Sequence, residues 1–164
     1  MPLRLLRLAT VLLVALVAGL AFAHVLERPA KLQFEPVLYL TIQKLLYMHW
    51  GPPQIGGFLE PAAITATGLL AFFLRKERRG LSFALGALFA LLLAFPLVFF
   101  WMVAPANAAF LAVTLPTIPA NWADLRSSWE LGHTIRFVLQ FSALALLALG
   151  SITSPENAAI PARP

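Results

Sequence analysis

The chain has 164 residues, of which 60% are hydrophobic and only 12% charged. Soluble domains contain about 45–50% apolar and about 25% charged residues, so the composition excludes an ordinary soluble globule. Twelve Lys and Arg against seven Asp and Glu give a net charge of +5. These basic residues separate apolar runs and do not form the basic face of a nucleic-acid-binding protein. The absence of cysteine excludes disulfides, thiolate metal sites and a cysteine nucleophile.

Four apolar segments are each long enough to cross a bilayer, which takes about 20 residues. The predicted spans cover about residues 5–25, 55–74, 81–104 and 135–152. The last span continues a helix that we expect to begin near residue 121, so its first turns should project from the bilayer. The sequence therefore predicts one all-α domain over residues 1–164, a four-transmembrane-helix bundle in a lipid bilayer.

Most basic residues lie at one side of the predicted spans, and Lys and Arg near span ends are retained in the cytoplasm. This places both termini in the cytoplasm and the longer connections, residues 26–54 and 105–134, on the outer face. We expect a multi-pass protein of the bacterial inner membrane. The basic residues concerned are Arg4, Arg7, Arg75, Lys76, Arg78, Arg79 and Arg163.

The first span has an alternative interpretation as a signal peptide, because Ala21-Phe22-Ala23 resembles an A-x-A cleavage site. Cleavage there would make His24 the new N-terminus, and its free amine and imidazole could chelate copper. The transmembrane interpretation is favoured.

The two outer connections contain helical signals. Pro36 predicts the start of a short interfacial helix, for which a re-entrant or packing segment is an equal alternative. In the second connection, Pro116 and Pro119 interrupt the chain before Asn121, which is a candidate N-cap for the last helix.

Polar residues from all four predicted spans fall at the same outer level. His24 and Glu27 are three residues apart, as are Glu130, His133 and Arg136, so each set shares one helical face. Ionisable groups in a membrane bundle mark a site by default. The alternative is a set of interfacial ion pairs that only fix helix orientation. The full set is His24, Glu27, Glu60, Asn107, Glu130, His133 and Arg136.

A metal centre is one hypothesis for this set. Di-iron bundles use two Glu-x-x-His motifs and two further Glu residues, whereas this chain has one such motif, a reversed His24-x-x-Glu27, and Asn107 in place of a carboxylate. A mononuclear iron, copper or zinc site would use His24, His133 and Glu27 or Glu130. Haem between the two histidines is a further alternative.

The favoured hypothesis needs no cofactor. An aromatic pocket would accept a flat apolar ring system, with His24 or His133 removing a proton and Arg136 or Asn107 stabilising the oxyanion. We also expect Pro96 to kink the third span. Tryptophans near membrane interfaces are otherwise common anchors. The aromatic candidates are Phe95, Phe99, Phe100, Trp101, Trp122 and Trp129, with Glu27, Glu60 and Glu130 as further substrate-binding candidates.

The stretches AGLAFAHVLERPAKL, YLTIQKLLY and NWADLRSSWELGHTIR resemble the anthrone-oxygenase-like family of small four-helix membrane proteins. The sharpest part of the resemblance is Asn107 followed by Trp129, His133 and Arg136. It implies an oxygenase that converts an anthrone to an anthraquinone without metal or flavin. On this basis His133 or His24 would be the base, Arg136 and Asn107 would hold the phenolate, and Trp129 would pack on the rings.

The resemblance predicts a hydrophobic aromatic or quinone-like ligand and an oxidoreductase activity. The alternative class of function is a non-catalytic membrane scaffold or partner subunit, which would act as a homo-oligomer or with another membrane protein. No Walker loop or dinucleotide-binding glycine motif is present in the sequence, so nucleotide-driven chemistry has no support.

Overall fold

The computed structural model describes residues 2–51, 54–115 and 117–153, and every regular element within these residues is a helix. The all-α prediction is therefore confirmed for this part of the chain. Two residues used in the sequence predictions, Pro116 and Arg163, lie outside the described residues.

Four helices in the described residues are long and apolar enough to cross a membrane. They are α1 (Pro2–Lys31), α3 (Ile55–Phe73), α4 (Arg78–Ala112) and α5 (Trp122–Ile152). A shorter helix, α2 (Pro36–Leu45), and a single 3₁₀ turn (Tyr47–His49) lie between α1 and α3. The prediction of four helices long and apolar enough to span a membrane is confirmed, while their orientation and the interfacial position of α2 remain predictions.

The four long helices form a closed ring in which α1 packs on α3, α3 on α4, α4 on α5, and α5 on α1. Connections between successive long helices reverse the chain direction, so both ends of the described chain lie at one end of the bundle. We call the opposite end, where α1 ends and α3 begins, the site end. Each long helix thus contributes residues to the site end.

The outer surface of the bundle is strongly apolar. Leu16, Phe72, Phe89 and Phe141, one from each long helix, are all more than half exposed. Exposed apolar side chains on every long helix are unfavourable in water and favourable against lipid tails. The inner surface contains small and aliphatic side chains such as Val14, Ala63, Ala87 and Ala143, which allow the helices to pack closely.

A buried arginine closes the end of the bundle opposite the site. Arg7 of α1 donates to the Glu77 carboxylate at 3.0 Å and to the Gly150 carbonyl of α5 at 3.3 Å. The guanidinium therefore connects α1, the short turn between α3 and α4, and the last turns of α5. Because this charge is 8% exposed, its pairing with Glu77 is required for burial.

Helix α4 is interrupted by a π-helical segment, Leu93–Val103, between two α-helical parts, Arg78–Leu92 and Ala104–Ala112. Pro96 lies inside this segment and cannot donate a backbone hydrogen bond. The structure thus has a wider helix with i→i+5 bonding at Pro96, which is frequent at functional sites. As a result α4 continues to Ala112, and Asn107 lies inside the helix, not beyond its end as the sequence suggested. A kink in this span stays a prediction.

Helix α2 packs against the site end and is fixed there by two cations. Lys44 donates to the carbonyl groups of Leu111, at 3.2 Å, and Val113, which terminate α4. Arg126, in the first turns of α5, donates to the carbonyls of Leu32 and Phe34 in the turn before α2. These bonds satisfy carbonyl groups that the helix ends leave unpaired.

Helix α5 begins at Trp122, immediately after Asn121. The side chain of Asn121 makes no capping hydrogen bond, and its backbone carbonyl accepts from Asp124 and Leu125 instead. The sequence located the start of the helix, but the predicted side-chain cap is wrong.

Close packing of α4 on α5 requires Gly132. A Cβ at this position would lie 2.8 Å from Val103 Cγ2 and 3.1 Å from Met102 Cβ, whereas a Cβ at Gly68 meets nothing within 4 Å. We expect Gly132→Ala to lower the free energy of unfolding by about 1–3 kcal/mol through overpacking. Gly68→Ala should leave it unchanged or raise it by up to about 1 kcal/mol, since alanine favours helices.

Thermal unfolding of both variants in the same detergent measures this difference. Equal midpoints for the two variants would contradict the close contact between α4 and α5.

Candidate functional site

A cavity of about 240 Å³ opens within the site end of the bundle. Its walls are largely aromatic and aliphatic, with a small number of polar groups, the usual composition of a small-molecule site. All four long helices and the 3₁₀ turn contribute to it. The polar and aromatic lining residues are His24, Tyr47, Trp50, Glu60, Phe95, Phe99, Phe100, Asn107, Trp129, His133 and Arg136.

Two imidazole rings form the centre of the polar wall. His24 of α1 and His133 of α5 are both less than a tenth exposed, and their ring centroids are 4.0 Å apart. Trp129, Tyr47 and Trp50 lie around His24, with centroid distances of 4.9, 4.9 and 5.1 Å. His24 Nδ1 is buried among these rings and has no hydrogen-bond partner.

Arg136 lies one turn from His133 on α5 and connects three elements. Its guanidinium forms an ion pair with Glu60 of α3, and a second nitrogen lies 3.2 Å from His133 Nδ1. An arginine side chain has donors only, so Nδ1 of His133 must be the acceptor. Neutral His133 therefore has its proton on Nε2. Gln140, at 3.5 Å from the Glu60 carboxylate, extends this network along α5.

A second buried charge cluster lies behind the cavity wall. Lys31 is 2% exposed and lies 3.2 Å from Glu130 and 3.6 Å from Glu27. Its ammonium group also lies over the rings of Trp129, at 4.6 Å, and Tyr47, at 4.8 Å. Cation–π contacts of this kind stabilise a desolvated cation. The cluster thus links the end of α1 to α5 and supports Trp129 from behind.

Two tyrosines donate to the carboxylates of this cluster. Tyr47 donates to Glu27, and Tyr39 donates to Glu130 at 3.1 Å. Burial, reinforced by Glu27, raises the pKa of the Tyr47 phenol well above its usual value. Burial and then Glu130 raise the pKa of Tyr39 in the same direction. Both phenols consequently stay protonated and act as hydrogen-bond donors.

Trp129 and Asn107 fix each other across the cavity. The indole Nε1 donates to Asn107 Oδ1 at 2.7 Å. Because an indole N–H can only donate, the Asn107 atom that faces Trp129 must be the amide oxygen. The amide NH₂ of Asn107 is then free to donate to another group. Trp129 is 1% exposed, so this bond also satisfies an otherwise buried donor.

The structure brings together most of the residues predicted from the sequence. His24, Glu60, Asn107, Trp129, His133 and Arg136 line the cavity, and Glu27 and Glu130 lie in the charge cluster behind it. Two predicted ligand-binding residues lie elsewhere. Trp101 is 76% exposed on the outside of the bundle, and Trp122 packs on Tyr39 and Arg126 near the start of α5.

Some residues of the site were absent from the sequence-based prediction. Tyr39, Tyr47 and Trp50 come from the first connection, whose path over the site end could not be derived from the pattern. Gln140 had a clear signal, because it is a polar residue within a predicted span, seven residues after His133.

Two of the predicted metal ligands, Glu27 and Glu130, have other polar partners in the structure. Among the described residues no group of three or more His, Asp or Glu side chains is placed to hold a metal ion. Glu27 and Glu130 contact Lys31 and the two tyrosines instead. Haem between the two histidines, whose ring centroids lie 4.0 Å apart, stays a prediction.

The buried pair of Lys31 and Glu130 generates a prediction about stability. Removing one partner leaves the other charge buried and unpaired, so Lys31→Met should lower the free energy of unfolding by about 3–5 kcal/mol. The double variant Lys31→Met with Glu130→Gln should recover part of this loss, because the stranded carboxylate is also removed.

Denaturant titration in micelles measures both variants, with Lys44→Met as the control. Lys44 contacts carbonyl groups and no carboxylate in the bonds described above, so its loss should be less costly. Additive effects of the two substitutions would contradict direct coupling between Lys31 and Glu130.

Comparison with known proteins identifies no relative: no family model matches the chain, and no curated protein or solved structure is significantly similar to it.

Proposed function

We propose that this protein is an integral membrane oxygenase that binds an anthrone-like or quinone-like aromatic molecule in the cavity and oxidises it without a cofactor. The observation that carries the proposal is the cavity itself, in which aromatic walls meet two adjacent, buried imidazoles. Flat aromatic ligands stack on such walls, and imidazole is the commonest proton-transfer group in enzymes.

Anthrones suit this arrangement chemically. The methylene group of an anthrone is acidic, because its carbanion is delocalised over the rings and onto the carbonyl oxygen. The electron-rich anion reacts directly with oxygen, so that anthrone and O₂ give anthraquinone and water. The protein needs to bind the rings, remove a proton and stabilise the oxyanion. The substrate class follows the sequence resemblance, in which Asn107, Trp129, His133 and Arg136 match the family pattern.

Phe95 and Phe99 provide surfaces on which rings can stack, and the free NH₂ of Asn107 can donate to a substrate oxygen. An apolar surround strengthens these polar contacts because it excludes water. We further propose that the bacterial inner membrane is the location of the protein and the source of its hydrophobic substrate.

The direct experiment measures oxygen uptake by the protein purified in mild detergent, with 1,8-dihydroxyanthrone as the probe. We expect consumption of one O₂ per anthrone, at a rate proportional to protein and above spontaneous oxidation. Rates that are unchanged after dialysis against a chelator would support the cofactor-free mechanism. Loss of activity on dialysis, restored by iron or copper, would instead support the metal alternative.

A cavity-filling variant tests whether this cavity is the site. Ala21 is 3% exposed and lines the cavity without contributing charge. Ala21→Phe should therefore occupy the space and abolish both binding of the probe and oxygen uptake. Quenching of tryptophan fluorescence measures binding separately from turnover.

Leu16→Phe is the matched control, since Leu16 is on the same helix, 57% exposed on the outer surface. It should leave binding and turnover at wild-type values. Normal activity in Ala21→Phe, with the fold retained, would refute the assignment of the site.

A scaffold or partner subunit is the second candidate, and one observation favours it. The buried cations are already paired, Lys31 with Glu130 and Arg136 with Glu60. Such pairs can serve helix orientation alone. Absence of probe binding and oxygen uptake, together with stoichiometric copurification of another membrane protein, would support this alternative.

A further inference from the structure

The two histidines of the cavity have different neighbours, and this difference suits them to different roles in a reaction. We infer that His24, oriented by Glu27, accepts the substrate proton, and that Arg136 holds His133 as a hydrogen-bond donor to the developing oxyanion. The inference rests on the proposed function and assigns roles that the sequence left open between the two histidines.

His133 is unsuited to accept a proton. Its Nδ1 lone pair already accepts from Arg136 at 3.2 Å. A proton added to Nδ1 would place two N–H donors against each other and bring imidazolium and guanidinium charges together, which is unfavourable in a buried site. Nε2 carries the remaining proton and is the nitrogen left for the cavity. His133 can therefore donate a hydrogen bond from Nε2.

His24 has a carboxylate beside its Nδ1, where His133 has a guanidinium. Its Nδ1 is buried, makes no hydrogen bond and lies 4.0 Å from a Glu27 carboxylate oxygen. A carboxylate favours the tautomer with the proton on Nδ1 and stabilises the imidazolium once it forms. Nε2 then remains as the basic nitrogen available to the cavity. Apo structures often show such catalytic contacts longer than in the substrate complex.

Glu27 is itself held in place by groups that stabilise its negative charge. Tyr47 donates to the same carboxylate oxygen that faces His24, and Lys31 lies 3.6 Å from it. Tyr47 thus holds Glu27 by a hydrogen bond, and Glu27 lies 4.0 Å from His24. Catalytic bases commonly have a third group placed beside them in this way.

Arg136 acts through His133 in this scheme and is a positioning residue. Its two terminal nitrogens contact Glu60 and His133. The oxyanion donors are then His133 Nε2 and the free NH₂ of Asn107, a division different from the sequence expectation that Arg136 holds the phenolate directly.

The proposed steps balance. His24 Nε2 takes a proton from the anthrone methylene, and the electron pair left on carbon delocalises onto the oxygen that His133 and Asn107 bind. The carbanion adds to O₂, giving a peroxide anion, which takes the proton back from His24. The resulting hydroperoxide loses water across its C–H and O–O bonds and gives the ketone.

One substitution made at both histidines distinguishes the roles, because glutamine can donate a hydrogen bond but has no basic nitrogen. His24→Gln should lower kcat for 1,8-dihydroxyanthrone by about 10³-fold, the contribution of a general base. His133→Gln should retain activity within about 10-fold, while His133→Leu should lose about 10²–10³-fold, as for a missing oxyanion donor.

His49→Gln is the control, since His49 lies exposed in the 3₁₀ turn and does not line the cavity. It should match the wild type. Thermal unfolding of each variant identifies those that fail to fold. Activity retained in His24→Gln and lost in His133→Gln would overturn the assignment.

A second measurement does not depend on turnover. In ¹⁵N NMR of the histidine-labelled protein, the signals lost in His133→Gln should show protonated Nε2 and unprotonated Nδ1 at neutral pH. Protonated Nδ1 in His133 would overturn the inference. If the wild-type protein does not oxidise the probe, the proposed function fails, and this tautomer still decides whether Arg136 holds His133 as a donor.

Discussion

Charges buried inside an apolar bundle must find partners, and the arrangement of the site end follows from this requirement. Arg136 of α5 pairs with Glu60 of α3, and Lys31 of α1 pairs with Glu130 of α5. Each pair crosses between helices, so a shift of α1, α3 or α5 along its axis would strand a charge in a medium of low dielectric constant. The contacts that neutralise these charges therefore also align three of the four long helices.

The same pairing leaves the cavity with little net charge. Glu60 and Arg136, the two charged residues that line it, pair with each other, and the other polar lining groups include two imidazoles, an amide and a phenol. A mostly apolar cavity with paired charges holds water weakly. An aromatic ligand could therefore enter it without displacing strongly bound water. In this arrangement Arg136, paired with Glu60, also holds the imidazole of His133.

The fold was largely predictable because span length and hydropathy are strong signals, and the cluster was predictable because ionisable residues in such spans are rare. His24, Glu60 and His133 were identified on this basis. The distinction between Trp129 in the cavity and Trp101 on the outer surface could not be drawn, because it depends on helix rotation. The π-helical segment, which alters that rotation within α4, leaves no periodic signal in a continuously apolar run.

The π-helical segment Leu93–Val103 has a consequence for the angular order of side chains along α4. A residue in a π-helix advances through a smaller angle than in an α-helix, so eleven such residues turn everything that follows relative to an uninterrupted α-helix. Asn107 and Phe110 face inward with this offset included. The segment thus sets the rotation of the second α-helical part of α4 about the helix axis relative to the first part. A change in its length or bonding would redirect Asn107 away from Trp129 without altering either residue.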